Sequence, residues 1–121
     1  MKHNQSSEDY LETILILSKE LNYVHQIDVA RRMNVSQPAV LKALKLLKGN
    51  GYLDADGLHI YLTECGKKYA EEVYYKHCTL RKFLTMLGVN EADADADACE
   101  IEHCISPDTF AAIDKFVKDK K

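Results

Sequence analysis

Between residues 26 and 49 two apolar stripes at helical spacing are separated by a short break, Asn34-Val35-Ser36, which narrows the possible folds more than any other stretch of the chain. Ile27, Val29, Ala30 and Met33 open a first helix, and Ser36 is placed to cap a second that runs to about Lys48. Pro38 falls in the first turn of that second helix, where its missing N–H has no intrahelical partner to lose. The pattern predicts a helix-turn-helix. Val40, Leu44 and Leu47 make the inner face of the second helix and leave Gln37, Ala39, Lys42 and Lys45 pointing outward. Two helices can pack in this way for their own sake, with lysines as a solvated surface. The placement of the turn and the basic bias favour a DNA reader, in which outward residues near the start of the second helix meet base edges and phosphates.

The net charge of -3 argues against a nucleic-acid partner until its distribution is read. Across residues 26–50 the cations Arg31, Arg32, Lys42, Lys45 and Lys48 stand against a single acid, Asp28. Residues 88–108 carry seven acids and neither Lys nor Arg. One part of the chain suits an anionic partner and the other suits cations. With 121 residues, 46% of them hydrophobic, the chain can form one compact domain or a small domain with a helical part that needs a partner. The opening Met-Lys-His-Asn-Gln lacks the apolar stretch of a signal peptide, and no run of about 18 apolar residues occurs, which predicts a cytoplasmic protein with no membrane partner. Cys65, Cys78, Cys99 and Cys104 show no CxxC pairing, so free thiols or metal ligation are expected rather than disulfides.

Residues 6–21 read as an amphipathic helix, with Tyr10, Ile14, Leu17 and Leu21 on one stripe and Ser6 and Asp9 as a capping box. Asp9 and Glu12 lie at i, i+3 on its less apolar side; read blandly, they are a cap partner and a surface charge. Behind the helix-turn-helix, residues 52–54 and 58–62 read as strands joined through Ala55-Asp56-Gly57, a wing whose acidic tip should make little phosphate contact. His59 is expected on the strand surface. Thr63 is placed to cap a long helix that runs to Leu87 and stops at Gly88. Asn90 and Asp93 are spaced as a capping pair for an acidic helix reaching Cys104, whose seam of Ala94, Ala98, Ile101 and Ile105 suits a dimer contact. Ser106 and Pro107 start a last helix with Phe110, Ile113, Phe116 and Val117 on its buried face.

Chemistry concentrates in residues 98–104, Ala-Cys-Glu-Ile-Glu-His-Cys. On a helix Cys99, Glu102 and His103 fall at i, i+3 and i+4 and face one side. A thiolate, a carboxylate and an imidazole on adjoining turns can converge on one cation. The plainer alternative is a solvated acidic face with a buried cysteine. His77, in the middle of the long helix, reads as an ordinary packed or exposed histidine unless other donors converge on it.

Taken in order, Glu8-Asp9-Tyr10-Leu11-Glu12-Thr13-Ile14, the helix-turn-helix, Leu62-Thr63-x-x-Gly66, Lys76-His77 and Cys99-x-x-Glu102-His103 resemble the metal-dependent repressors of the diphtheria toxin repressor and manganese transport regulator type, over nearly the whole chain. The resemblance implies a mainly α fold, with an N-terminal winged helix-turn-helix DNA-binding domain over residues 1–63 and a helical metal-binding and dimerisation domain over 64–121. It implies metal ligands at Asp9, Glu12, His77, Cys99, Glu102 and His103, and DNA contacts at Ser36, Gln37, Pro38, Ala39 and Lys42. Asp9 and Glu12 look like the manganese branch, whereas Cys99 looks like the iron branch, since the manganese regulators usually have Glu there. Carboxylates suit Mn2+ and Fe2+, and a thiolate shifts preference toward Fe2+, Co2+ or Zn2+. The implied cofactor is therefore Fe2+ or Mn2+, with Co2+ or Zn2+ able to substitute in vitro. Arg81 stands where the family often has a Glu that helps hold a second ion, and a cation there disfavours one; Asp95, Glu100 or Cys104 could supply replacement donors. The SH3-like domain of the longer family members is not expected.

The implied function is a homodimeric, metal-dependent transcriptional repressor that controls metal homeostasis genes through palindromic double-stranded operator DNA. Metal would fix the winged domain against the dimer core and set two recognition helices about 34–36 Å apart. A winged-helix regulator that senses no metal is the alternative. A small metalloenzyme with Glu102 as general base offers no obvious substrate pocket and leaves the basic helix-turn-helix without a role, so no catalytic residue is expected.

Overall fold

Helices dominate the computed structural model, which describes residues 5–120; residues 1–4, on which the reading of the N-terminus as lacking a signal peptide chiefly rests, lie outside the described part. The elements run α1 (Gln5–Glu20), β1 (Val24–His25), α2 (Gln26–Met33), α3 (Gln37–Gly49), β2 (Leu53–Asp56), β3 (His59–Leu62), α4 (Glu64–Met86), α5 (Glu91–Ile101) and α6 (Pro107–Lys120). They divide into two compact units, Gln5–Glu71 and Glu72–Lys121, with α4 starting in the first and continuing into the second. Among the described residues no helix is long and apolar enough to cross a membrane.

In the first unit α1 packs on α2, α3, β1 and β3. Leu11 and Ile14 of α1, Val29 of α2, and Val40 and Leu47 of α3 are buried almost completely. Truncating Leu11, Ile14 or Leu47 to Ala is a cavity-forming change worth about 2–5 kcal/mol. Ser6 lies inside α1 and so does not cap it, and the capping box expected with Asp9 does not form, because an N-cap residue needs an extended backbone that a helical residue lacks.

The helix-turn-helix follows from local chemistry. His25 precedes α2 with an extended backbone, and its N–H donates to the Asp28 carboxylate at 2.9 Å. Asn34 closes α2 at φ 57°, a left-handed conformation that Asn tolerates, and Val35 N–H donates back to Ala30 O at 3.1 Å. Ser36 Oγ then accepts the Ala39 N–H at 3.2 Å, with Pro38 in the first turn of α3. Gly51, at φ 83°, turns the chain out of α3 and lets Tyr52 N–H reach Leu47 O at 3.0 Å.

The sheet is antiparallel with strand order β1-β3-β2, and Asp56 pairs with His59 at the end of the hairpin. Its loop is Gly57-Leu58 rather than the expected Ala55-Asp56-Gly57. A two-residue hairpin loop needs a positive φ, Gly57 supplies it at 66°, and Ala55 and Asp56 therefore stay in the strand. β1 completes the sheet by pairing Val24 with Ile60. Thr63 caps α4, accepting the Gly66 N–H at 3.1 Å while its hydroxyl donates to Gly51 O at 2.7 Å.

In the second unit Gly88, at φ 101°, ends α4, with Gly88 N–H donating to Thr85 O and Val89 N–H to Leu84 O. Asn90 caps α5 by accepting the Asp93 N–H at 2.9 Å, and Ser106 caps α6 by accepting the Thr109 N–H at 3.1 Å. Val73, Leu80, Ala94, Ala98 and Val117 are its buried apolar residues. Ala94 and Ala98 are fully covered within the chain itself, so this part of the alanine seam is not free for a dimer contact. Phe116 stands edge-on to Phe83 but remains 42% exposed, outside the buried face expected of α6.

Candidate metal centre and nucleic-acid interface

Every side chain expected to meet DNA is on the outside of the first unit. Ser36, Gln37, Pro38, Ala39 and Lys42 are exposed at the start of α3, while Val40, Leu44 and Leu47 hold the opposite face of that helix in the core. Lys45 and Lys48 are exposed on the same helix and extend its positive surface. The wing carries Asp54 and Asp56, with Lys48 Nζ 3.7 Å from Asp54 Oδ1. Positive charge therefore lies along α3 rather than at the wing tip, a distribution that suits an anionic partner at α3.

Asp9 and Glu12 lie at i, i+3 on α1, Asp9 half-buried and Glu12 only 9% exposed. A carboxylate so covered is not the surface charge of the bland alternative. On the second unit α4 supplies His77, and α5 with the turn after it supplies Cys99, Glu102 and His103. α5 stops at Ile101, three residues before the expected end. Glu102 keeps a helical backbone and donates its N–H to Ala98 O at 2.9 Å, whereas His103 N–H reaches only to Glu100 O at 3.4 Å. The last turn is thus tightened, and His103 lies just past the helix rather than on its continuous face.

His77 is held from both sides of its ring. Nδ1 lies 2.9 Å from Glu102 Oε1 and Nε2 lies 2.8 Å from Asp95 Oδ1. The side chain of Glu102 is fully buried, and its second oxygen, Oε2, has no hydrogen-bond partner. His103 Nε2 comes within 3.3 Å of that oxygen but outside hydrogen-bonding geometry. Cys99 Sγ and a ring nitrogen of His103 lie within 4.8 Å of each other, as do the donor atoms of His77 and Glu102. Burying a carboxylate with an unsatisfied oxygen is costly unless a cation or donor completes it. The imidazoles of His77 and His103 beside this carboxylate, and the Cys99 thiol beside His103, are donor types that fit a divalent transition metal.

Asp95 was foreseeable only in part. It falls four residues before Cys99 and seven before Glu102, on the same stripe of α5, but nothing in the sequence pairs it with His77. Of the other residues that could have replaced a missing donor, Glu100 and Cys104 are exposed, and Cys104 Sγ donates to Glu100 O at 3.2 Å. Arg81 is exposed, one turn beyond His77.

A winged helix-turn-helix followed by a helical unit rich in metal donors defines the class of DNA-binding regulators that respond to a metal ion. The chain matches the iron dependent repressor N-terminal DNA binding domain over residues 3–58 and the iron dependent repressor metal binding and dimerisation domain over residues 63–121. It is 37% identical over 112 residues to the transcriptional regulator MntR of Escherichia coli O157:H7, covering 92% of this chain and 72% of that one. It is 34% identical over 121 residues to an HTH-type transcriptional regulator of Methanocaldococcus jannaschii, covering 98% of this chain and 97% of that one. The chain belongs to the iron-dependent repressor family, whose relatives here are transcriptional regulators rather than enzymes. Among solved structures, the metal-dependent transcriptional regulator MtsR superposes with a TM-score of 0.88 at 27% identity, over 95% of this chain and 54% of that one. A manganese-dependent transcriptional repressor in complex with manganese superposes with a TM-score of 0.83 at 27% identity, over 93% of this chain and 52% of that one. The chain spans about half the length of these solved relatives.

Proposed function

We propose that the protein is a cytoplasmic, homodimeric transcriptional repressor that senses Mn2+ or Fe2+ and controls metal homeostasis genes through palindromic double-stranded operator DNA. The observation that carries this reading is the fully buried Glu102 carboxylate, with one oxygen lacking a hydrogen-bond partner and imidazoles of His77 and His103 beside it. The proposed ligands are Asp9, Glu12, His77, Cys99, Glu102 and His103; the proposed DNA contacts are Ser36, Gln37, Pro38, Ala39 and Lys42. Residues 1–63 are assigned to DNA binding, and residues 64–121 to metal binding and dimerisation. Exposed Tyr75, Met86, Leu87 and Phe116 on the second unit, together with the dimerisation domain of the family, support the homodimer.

If Asp9, Glu12 and Glu102 are ligands as proposed, a divalent ion would supply the positive charge that offsets their mutual repulsion. Glu102 offers its unpartnered oxygen, His77 and His103 offer imidazole lone pairs, and Cys99 offers a thiolate. The carboxylates favour Mn2+ or Fe2+, and Cys99 tilts the set toward Fe2+, with Co2+ and Zn2+ as substitutes in vitro. Because the proposed ligands come from α1 as well as from α4 and α5, ligation would lower the ordering cost of DNA binding. Linkage then requires operator DNA to tighten metal binding by the factor through which metal tightens DNA binding.

The test is fluorescence anisotropy on a palindromic operator of the family type, first with a chelator and then with Mn2+, anaerobic Fe2+, Co2+ or Zn2+ added singly. Binding that appears only with metal supports the repressor, and the order of the ions reports what Cys99 does to selectivity. Equal affinity in chelator replaces this reading with a winged-helix regulator that senses no metal.

A further inference from the structure

Asp95 is 61% exposed in its side chain, yet its Oδ1 lies 2.8 Å from His77 Nε2. Asp95 of α5 and Glu102 just past its end, about two helical turns apart, take the two nitrogens of the same imidazole. A neutral imidazole has one N–H and one lone pair, and an ionised carboxylate only accepts. Both nitrogens of His77 thus face an acceptor; with a cation on the Glu102 side taking the Nδ1 lone pair, the single N–H would fall at Nε2, where Asp95 accepts it. Arg81, one turn further along α4, cannot do this, since a guanidinium only donates.

We propose that Asp95 is a positioning residue for His77: it fixes the ring's tautomer and orientation so that Nδ1 is the ligating atom. The proposal rests on the reading of His77 as a metal ligand given above. It extends that reading to an exposed acid that contributes no ligand atom of its own.

The test uses the full chain carrying Asp95→Ala, Asp95→Asn, Asp97→Ala or His77→Ala. Mn2+ affinity is measured by competition with a chelating fluorophore, the His77 tautomer by long-range 1H–15N NMR in the metal-free protein, and folding by the metal-free melting temperature. Asp95→Ala is expected to weaken Mn2+ binding about 10–100-fold, to raise the Nδ1–H population in the spectrum because Glu102 is then the remaining carboxylate at the ring, and to leave the metal-free melting temperature unchanged. Asp95→Asn keeps an acceptor oxygen and should recover part of the affinity. Asp97→Ala removes an exposed acid from the same helix and should bind like wild type, separating the effect from net charge. If His77→Ala loses Mn2+ while Asp95→Ala keeps both affinity and tautomer, the role of Asp95 is overturned and the metal reading stands. A lower melting temperature in Asp95→Ala with wild-type affinity overturns it too, as a purely structural contact. If His77→Ala itself binds Mn2+ normally, the metal reading of His77 fails and this inference falls with it.

Discussion

Gly66 lies so close against the main chain of Tyr52 that a Cβ at position 66 would overlap the Tyr52 carbonyl group. The same carbonyl oxygen accepts the Thr63 N–H at 3.1 Å, so the first turn of α4 is clamped to the residue that leads into β2. The obstacle is backbone, and no change of rotamer relieves it. Gly66→Ala should therefore destabilise the chain by about 3 kcal/mol, read from urea denaturation in chelator. An unchanged midpoint would mean that α4 can slide away from Tyr52 at little cost.

Lys42 is exposed one turn into α3, where under the proposed function a cation would meet phosphate. Lys42→Ala is expected to weaken binding to operator and to unrelated DNA alike, and to reduce the slope of log affinity against log salt by about 1. Ser36→Ala differs in kind, since Ser36 Oγ caps α3 through the Ala39 N–H at 3.2 Å. It should cost about 1 kcal/mol of stability as well as affinity. Titrations at several salt concentrations, with melting curves beside them, separate the two; identical salt slopes for Lys42→Ala and wild type would remove Lys42 from the interface.

Removing the buried carboxylate should uncouple stability from metal. An ion at about 100 times its dissociation constant stabilises a folded protein by about 2.7 kcal/mol, and the wild-type melting temperature should rise accordingly when Mn2+ replaces chelator. In Glu102→Gln that increment should vanish, with the variant's own metal-free melting temperature as the reference. A Glu102→Gln protein that still gains the full increment would exclude Glu102 as a ligand.

Acid should loosen the contact between α4 and α6. Asp114 Oδ1 accepts the Tyr75 hydroxyl at 2.6 Å, and Lys118 Nζ lies 3.1 Å from Asp114 Oδ2. The Tyr75 hydrogen bond first, and then Lys118, hold the Asp114 carboxyl below the ordinary aspartate range. Because the folded value is lower than the unfolded one, the unfolded chain takes up the proton first as pH falls. The stabilisation is fully present above the unfolded aspartate value, about 3.9, and is lost as pH drops through the lowered native value. Tyr75→Phe should flatten this part of the curve of melting temperature against pH, and parallel curves for variant and wild type would refute the linkage.

Residues close together in the chain decided much of the fold. Ser36, Thr63, Asn90 and Ser106 each accept an N–H from three residues further on, and Gly88 and Asn34 each close a helix within its own last turn. Such bonds depend on side-chain chemistry and backbone freedom at single positions, so composition and spacing suffice to place them. The alternation of Val40, Leu44 and Leu47 with exposed Gln37 and Lys42 likewise follows from helical periodicity alone. Charge along the chain marked which half could meet an anion and which a cation.

Tertiary structure decided what depends on residues far apart. β1 is two residues long and exists because β3 offers Val24 and His25 a partner more than thirty positions away. Gly66 is required by the carbonyl of Tyr52 rather than by any turn of its own. Glu102 and His103 stand where α5 tightens at its end, and Asp95 gains its meaning from a histidine eighteen residues earlier on another helix. The sequence by itself determined which groups could cap, bury or bind, because those properties belong to single residues and their near neighbours. Only the packed chain could settle which donor faces which and which oxygen is left without a partner, because solvent exclusion and distance arise when separate elements close on one another.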